Sequence, residues 1–282
     1  MREGIMLCYP FDIRRLEKWG GKAFIQYKLN GERCRAICLG QNIRLLSSEG
    51  NLIQFLPHIN AALAQLDLRG VELDGELYCH GMSLQDIHGI VSRKINPHPE
   101  YARIEYHIFD IVEILPQVDR FAMLNTIEGS IIRKGLFEDL KIVNFEIVES
   151  LVDINEFLEI AMGEGYEGFV LRSYSNIYTR KRSTNMMKFK PTQEDVYPII
   201  GWEEEISIHG EPKGSLGALT CQGDDGTPFS VGTGYSREDR VKLWKDRESL
   251  KGKHLKVKYQ YLTPSGKKPM HSVAIQILNL TQ

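Results

Sequence analysis

The first fifty residues gather branched, aromatic and other apolar side chains into three short β-rich runs, residues 23–27, 33–39 and 42–48. Asn30-Gly31, Gly40-Gln41-Asn42 and Glu49-Gly50-Asn51 break these runs. The pattern predicts a meander with Lys28 at the end of its first strand. Ahead of it, residues 11–19 read as one short helix with charge on one side. Beyond it, Ile59, Leu63 and Leu66 recur at helical spacing and predict a helix over residues 57–68. Residues 71–78 and 106–112 read as strands, the second a buried run carrying an acid near its end. Residues 81–94 read as loop and helix, and residues 120–135 and 154–164 as helices, the last closed by Gly165. Strands are predicted at 142–148, 166–172 and 185–191.

From residue 196 onward the pattern changes to short strands separated by glycine turns, with one helix over residues 238–244. Pro191 and the polar run Thr192-Gln193-Glu194-Asp195 place the boundary between a domain of residues 1–190 and one of residues 191–282. The expected fold class is α+β, with a small β-barrel as the second domain; for a barrel that touches nucleic acid the OB-fold is the common answer.

Composition changes this picture little. An apolar share of 42% and a charged share of 26% over 282 residues describe an ordinary globular protein with a real core. No apolar run reaches membrane-spanning length, and the first eight residues are too short and too interrupted by charge for a signal peptide, so the expectation is a cytoplasmic protein with no membrane partner. Cys8, Cys34, Cys38, Cys79 and Cys221 form no CxxC pair and leave an odd thiol over, which argues against a disulfide framework and against structural zinc. Charge matters more. The net value of −2 hides a segment, residues 237–268, with eleven basic and four acidic residues, net +7. Such a segment reads either as a polyanion-binding face or as a solvated lysine-rich hairpin.

Chemistry concentrates at five places. Lys28-x-Asn30-Gly31-x-Arg33 puts an amine and a guanidinium on one connection, which suits phosphate chemistry, although such a pair more often flanks an ordinary turn. Glu72, Asp74 and Glu76 share one strand face, where three carboxylates repel unless a cation or polar ligand sits among them. Phe109-Asp110 follows, with Phe109 most simply a core aromatic. Glu167-Gly168 opens a strand that closes in Arg172. Lys188-x-Lys190 places two lysines on one strand face.

These five motifs in this order, followed by a basic β-rich domain, resemble the ATP-dependent DNA ligases, within the covalent nucleotidyltransferase superfamily that also holds RNA ligases and mRNA capping enzymes. The resemblance covers nearly the whole chain. Gly214-Ser215-Leu216-Gly217-Ala218-Leu219, Val231-Gly232-Thr233-Gly234-Tyr235 and Val257-Lys258-Tyr259-Gln260-Tyr261-Leu262-Thr263 are similar to the OB domain of small viral and bacterial ligases. With 27 residues ahead of Lys28, the chain resembles the minimal two-domain type, without a separate N-terminal DNA-binding domain. The implied architecture is a nucleotidyltransferase domain of ATP-grasp-like antiparallel sheets with helices, followed by an OB-fold barrel.

The resemblance also implies an activity. The implied protein is a monomeric enzyme of DNA repair or replication, in a bacterial cell or a virus-infected host, that would seal nicks in duplex DNA with ATP and Mg2+, Mn2+ being a substitute. Lys28 is implied as the nucleophile that carries AMP. Lys188 and Lys190 neutralise the α-phosphate and keep the Lys28 amine unprotonated. Glu76 and Glu167 hold Mg2+ or the ribose hydroxyls, Arg33 the ribose or phosphate. Phe109 stacks on adenine, with Gln26 as a hydrogen-bonding partner. Arg172 senses the 5′-phosphate of the nick, and Lys258 and Lys268 contact the nicked DNA.

Three positions depart from the family pattern. Asn30 stands where aspartate is usual. Ser47-Ser48 replaces a Ser/Thr-Arg pair, with Arg44, four residues back on the same face, as the candidate to reach in. Lys268-Pro269-Met270-His271 replaces a basic-Pro-Arg run, leaving Lys267 or Lys268 as an imperfect substitute without a guanidinium fork. The alternatives to a DNA ligase are an RNA ligase or capping-type guanylyltransferase, and a degenerate nucleotide-binding module without turnover.

Overall fold

A computed structural model of the chain describes residues 4–259, 261–262, 268–270 and 272–279. The chain divides into two compact units, Met1–Phe189 and Lys190–Gln282. In chain order the first contains β1 (Leu7–Pro10), α1 (Ile13–Lys18), β2 (Ala23–Tyr27), β3 (Glu32–Leu39), β4 (Asn42–Ser47), β5 (Leu52–Ile53), α2 (Pro57–Gln65), β6 (Arg69–Tyr78), α3 (Leu84–Val91), β7 (Glu105–Ile111), α4 (Gln117–Arg133), β8 (Leu140–Ile142), β9 (Phe145–Val148), α5 (Leu151–Gly163), β10 (Phe169–Ser173) and β11 (Arg182–Phe189).

These strands form two sheets, ordered β1-β11-β10-β2-β9 and β5-β4-β3-β6-β7-β8. The expected meander is therefore not formed: β2 and β3 lie in different sheets. After Tyr27 the backbone keeps following the segment that leads into β10, with the Lys28 N–H donating to the Gly168 carbonyl at 2.9 Å and the Glu167 N–H donating to the Lys28 carbonyl at 3.2 Å. Asn30-Gly31 carries the chain across to the second sheet. The run at 142–148 likewise splits, β8 joining the second sheet and β9 the first. Strand β1 was not expected, because four residues ending in proline give no period to read.

Alternation along the strands explains the layers. In the first sheet Ala23, Ile25, Phe169, Leu171 and Met187 face Leu16 of α1 and Ile154, Phe157 and Ala161 of α5. Neighbouring positions on the opposite face, Gln26, Val170, Arg172, Met186 and Lys188, line a cavity. In the second sheet Cys34, Ala36, Cys38, Leu73 and Leu77 enter the largest core with residues of α2, α3 and α4. Arg33, Arg35, Glu72, Asp74 and Glu76 occupy the reverse face in cross-strand register.

The second unit holds β12 (Gln193–Ile206), β13 (Pro212–Gln222), β14 (Pro228–Val231), α6 (Arg237–Lys245), β15 (His254–Tyr259), β16 (Tyr261–Leu262), β17 (Pro269–Met270) and β18 (Val273–Leu278). Five strands pair in the order β14-β13-β12-β15-β18 around Tyr197, Ile199, Leu219, Val231, Leu255 and Val257. Among the described residues β14 and β18 end the sheet instead of pairing, so the unit is OB-like and not the closed barrel expected. The polar run at 192–195 belongs largely to β12, which pairs with β15 over its first half and β13 over its second. Register shifts between Ile199 and Ile206 bend it from one partner to the other.

Among the described residues no helix is long and apolar enough to cross a membrane.

Candidate active site

A cavity of about 310 Å³ opens in the first unit where the crossover from β2 to β3 passes between the sheets. Seven of the residues singled out in the sequence line it: Gln26, Lys28, Arg33, Glu76, Phe109, Arg172 and Lys188. Strand register accounts for three of them. Gln26 on β2 and Lys188 on β11 both stand opposite Val170 on β10, so they share a face. Lys28 lies two residues beyond Gln26 on the same side.

The Lys28 ammonium is ion-paired with the Glu167 carboxylate, both side chains largely shielded from solvent, and also donates to the Leu29 carbonyl at 3.3 Å. The backbone pairing of Lys28 with Gly168 and Glu167 fixes this meeting. The group in contact with the amine is thus an anion, not the pair of lysines expected. Lys188 is exposed at the cavity wall, while Lys190 follows the end of β11 and begins the second unit.

Gly31 is needed here for space. Its φ is not in the left-handed range, but a Cβ on it would lie 2.2 Å from the Leu77 carbonyl oxygen and 2.9 Å from Glu76 Cγ. The crossover is pressed against the end of β6, which brings Lys28 and Glu76 to one cavity.

The three carboxylates of β6 have separate fates. Glu72 pairs with Arg35 and with Arg180, the latter at 2.6 Å. Asp74 is fully buried, takes the Arg33 guanidinium as a fork with Nε at 2.6 Å, and accepts from Tyr178 Oη at 2.6 Å. The cations that relieve their repulsion are therefore protein arginines on the neighbouring strand and at Arg180. Glu76 alone of the three faces the cavity. Burial pushes its carboxyl up to about 7, against the pull of Arg33 and Lys28.

Among the described residues no group of three or more His, Cys, Asp or Glu could hold a metal by itself. Glu76 lines the cavity and Glu167 does not, meeting it only through its ion pair with Lys28; both are hard oxygen donors of the kind Mg2+ takes together with substrate phosphates. A carboxylate that burial makes costly to ionise is one that a dication would favour.

Phe109 is half-buried, with the Arg33 guanidinium 4.5 Å and the Arg172 guanidinium 5.2 Å from its ring centroid. Gln26, 1% exposed, donates from Nε2 to the carbonyls of Val143 at 3.2 Å and Phe109 at 3.3 Å and accepts from Arg172 Nε at 2.7 Å.

The sequence reading missed Glu32, Arg182 and the segment Ile5, Leu7 and Cys8, all of which line the cavity, as does Ser48. Ser48 occupies the place where an arginine was expected. Arg44 does not take it over: it is exposed on β4 opposite Ile37, about 13 Å along the strand from Ser48. Arg182 carries a signal that could have been read, a cation six residues ahead of Lys188 on the same strand face. Lys258 stands opposite Glu194 on β15, next to the Lys256–Glu194 ion pair at 2.8 Å, so an acidic neighbour partly offsets that stretch of the basic segment. Lys268 is exposed just before β17. Lys267 and His271 lie outside the described residues.

Comparison with known proteins bears on the family. Residues 5–190 match the family model described as ATP dependent DNA ligase domain, and residues 209–274 the one described as DNA ligase OB-like domain. DNA ligase 2 of Thermofilum pendens is 27% identical over 266 residues, covering 84% of this chain and 43% of its own length. The DNA ligase of African swine fever virus is 27% identical over 276 residues, covering 89% and 62%. The chain thus spans about half the length of these relatives. A solved structure of a Lig E DNA ligase superposes with a TM-score of 0.77 at 21% identity, covering 99% of this chain and 100% of that one, a likeness of fold. With a family model matched over residues 5–190, well over half its length, the chain belongs to the ATP-dependent DNA ligase family.

Proposed function

We propose that the protein is an ATP-dependent DNA ligase that seals nicks in duplex DNA through an AMP carried on Lys28. The observation that carries this reading is the Lys28 amine at a cavity that also presents Lys188, Glu76, Gln26 and Phe109. A nucleophile, a phosphate-facing cation, a carboxylate and a base-sized wall meet there.

In the first step the Lys28 amine attacks the α-phosphorus of ATP, a P–N bond forms and pyrophosphate leaves with the electrons of the broken P–O bond. The amine must first lose a proton, and the Glu167 carboxylate in contact with it is placed to receive one. Lys188 offsets the charge that builds on the α-phosphate oxygens. Glu76 and Glu167 would hold Mg2+, which would polarise the phosphates and screen their charge. The base lies against Phe109, with Gln26 as its polar partner. Arg33, held by Asp74, presents its remaining donors toward ribose or phosphate. AMP then passes from Lys28 to the 5′-phosphate of the nick, and the 3′-hydroxyl displaces it to form the phosphodiester. Lys190 is a further cation for phosphate, and Lys258 and Lys268 are further cations for DNA.

The test is a panel of nicked duplex DNA, nicked RNA:DNA hybrid and triphosphate-ended RNA, each with ATP and Mg2+. Joining of the DNA nick at the highest rate is expected. Joining confined to RNA ends, or GMP transfer to the triphosphate end, would replace this reading by an RNA ligase or capping enzyme.

A further inference from the structure

Arg172 reads from sequence as a contact to the nick phosphate, yet its side chain is turned into the protein. The residue is 3% exposed. Its Nε donates to Gln26 Oε1 at 2.7 Å and its Nη1 to Asp110 Oδ2 at 2.8 Å, while the guanidinium lies 5.2 Å from the centroid of Phe109. Asp110 is itself immobilised. Fully buried, it accepts from Arg120 Nε at 2.8 Å and Gln117 Nε2 at 3.1 Å, and Arg120 is anchored in turn to the Asn176 carbonyl at 3.1 Å. Drawing Arg172 out to meet a DNA phosphate would leave Asp110 and Gln26 with broken charge-assisted hydrogen bonds in a buried place, which is unfavourable.

What Arg172 touches within the cavity is its base-facing wall. The amide of Gln26 is held in one sense by three contacts that agree, with Nε2 toward two carbonyls and Oε1 toward the guanidinium. Phe109 follows the same logic, since its carbonyl is one of those acceptors and its ring borders the Arg172 cation. The geometry points to Arg172 as a positioning residue for the nucleotide base: through Gln26 and Phe109 it sets the wall that receives the adenine of ATP, and it is not a ligand of the nick 5′-phosphate. This assignment rests on the adenylylation reading above. It also gives a role to Asp110 and Arg120, which hold Arg172 and touch no reacting atom.

Arg172→Met and Arg172→Lys in the full chain separate the two roles. One readout is the ATP concentration that gives half-maximal lysyl-AMP formation, together with the maximal rate. The other is the ratio of affinities for nicked duplexes carrying a 5′-phosphate or a 5′-hydroxyl. In Arg172→Met the half-maximal ATP concentration should rise about tenfold or more, with the maximal rate changed by no more than about threefold. Arg172→Lys should recover part of the loss, and the 5′-phosphate preference should stay at its wild-type value in both. A preference that collapses toward one, or an ATP dependence equal to wild type, would overturn the assignment. The half-maximal ATP concentration and the affinity ratio are not shifted by an inactive fraction, the maximal rate is referred to the active enzyme titrated by its AMP uptake, and Arg172→Lys serves if the methionine variant is insoluble. A wild type that takes no label from ATP overturns the underlying adenylylation reading, a different outcome from either failure.

Discussion

Replacing Gly31 by alanine adds one methyl to the crossover that carries Lys28. On the existing backbone that carbon would sit 2.2 Å from the Leu77 carbonyl oxygen and 3.2 Å from Leu77 C. Carbon–oxygen contacts normally close to about 3.3 Å, so the crossover and the end of β6 must part by about 1 Å. The φ of Gly31 lies outside the left-handed range, so alanine meets no conformational barrier and the penalty is steric. Overpacking of this kind costs about 1–3 kcal/mol. A shift of about 1 Å in a reacting group costs about 100-fold in rate. Urea unfolding gives the first quantity and the rate of AMP incorporation at saturating ATP gives the second. Gly89→Ala on α3, where a Cβ meets nothing within 4 Å, is the control and should leave both intact. Asparagine at 31 should be worse than alanine, being larger. If asparagine is instead tolerated better, the position wants a left-handed turn and the close-approach reasoning is refuted.

Asp110→Ala should destabilise the first unit by about 3–5 kcal/mol, because it removes the carboxylate shared by two buried guanidiniums. A change in the urea midpoint worth less than about 1 kcal/mol would contradict this. For Glu72, burial alone would raise the carboxyl, but Arg180 and Arg35 hold it below the ordinary value of 4.5. That contribution is fully present above 4.5 and lost as pH falls through the folded-state value, so Glu72→Gln should flatten the acid limb of thermal stability against pH. Parallel limbs in variant and wild type would show that the pair does nothing for stability.

Sequence and structure meet most closely where a local signal carries the chemistry. Lys28, Glu76 and Lys188 were assigned from spacing and resemblance, and the fold brings all three to one cavity, because alternation along a strand survives whatever the strand pairs with. Pairing itself was not legible. Asn30-Gly31 looks like a hairpin turn, and only the distant Glu167-Gly168 segment, binding the backbone of Lys28, makes it a crossover. The split of residues 142–148 into β8 and β9 has the same origin, since which sheet a short strand joins depends on partners far along the chain. The acids of β6 were read as needing a cation; the arginines that answer it, Arg33 and Arg35, lie on the adjoining strand in matching alternation and could have been named. Arg120 gave no such signal. A charged residue in an amphipathic helix reads as a surface position, and only the buried Asp110 reveals why it is inside.

The central claim is that Lys28 forms a covalent bond to AMP, and the most direct measurement is transfer of label from α-labelled ATP to the protein, after pyrophosphate treatment to discharge any AMP already bound. The wild type should take up label in the presence of Mg2+, in an acid-labile linkage that a 5′-phosphorylated nick discharges. Lys28→Ala and Lys28→Arg should take up none, the arginine variant keeping a cation beside Glu167. Labelling of either variant at the wild-type level, or an unlabelled wild type after discharge, would contradict the account.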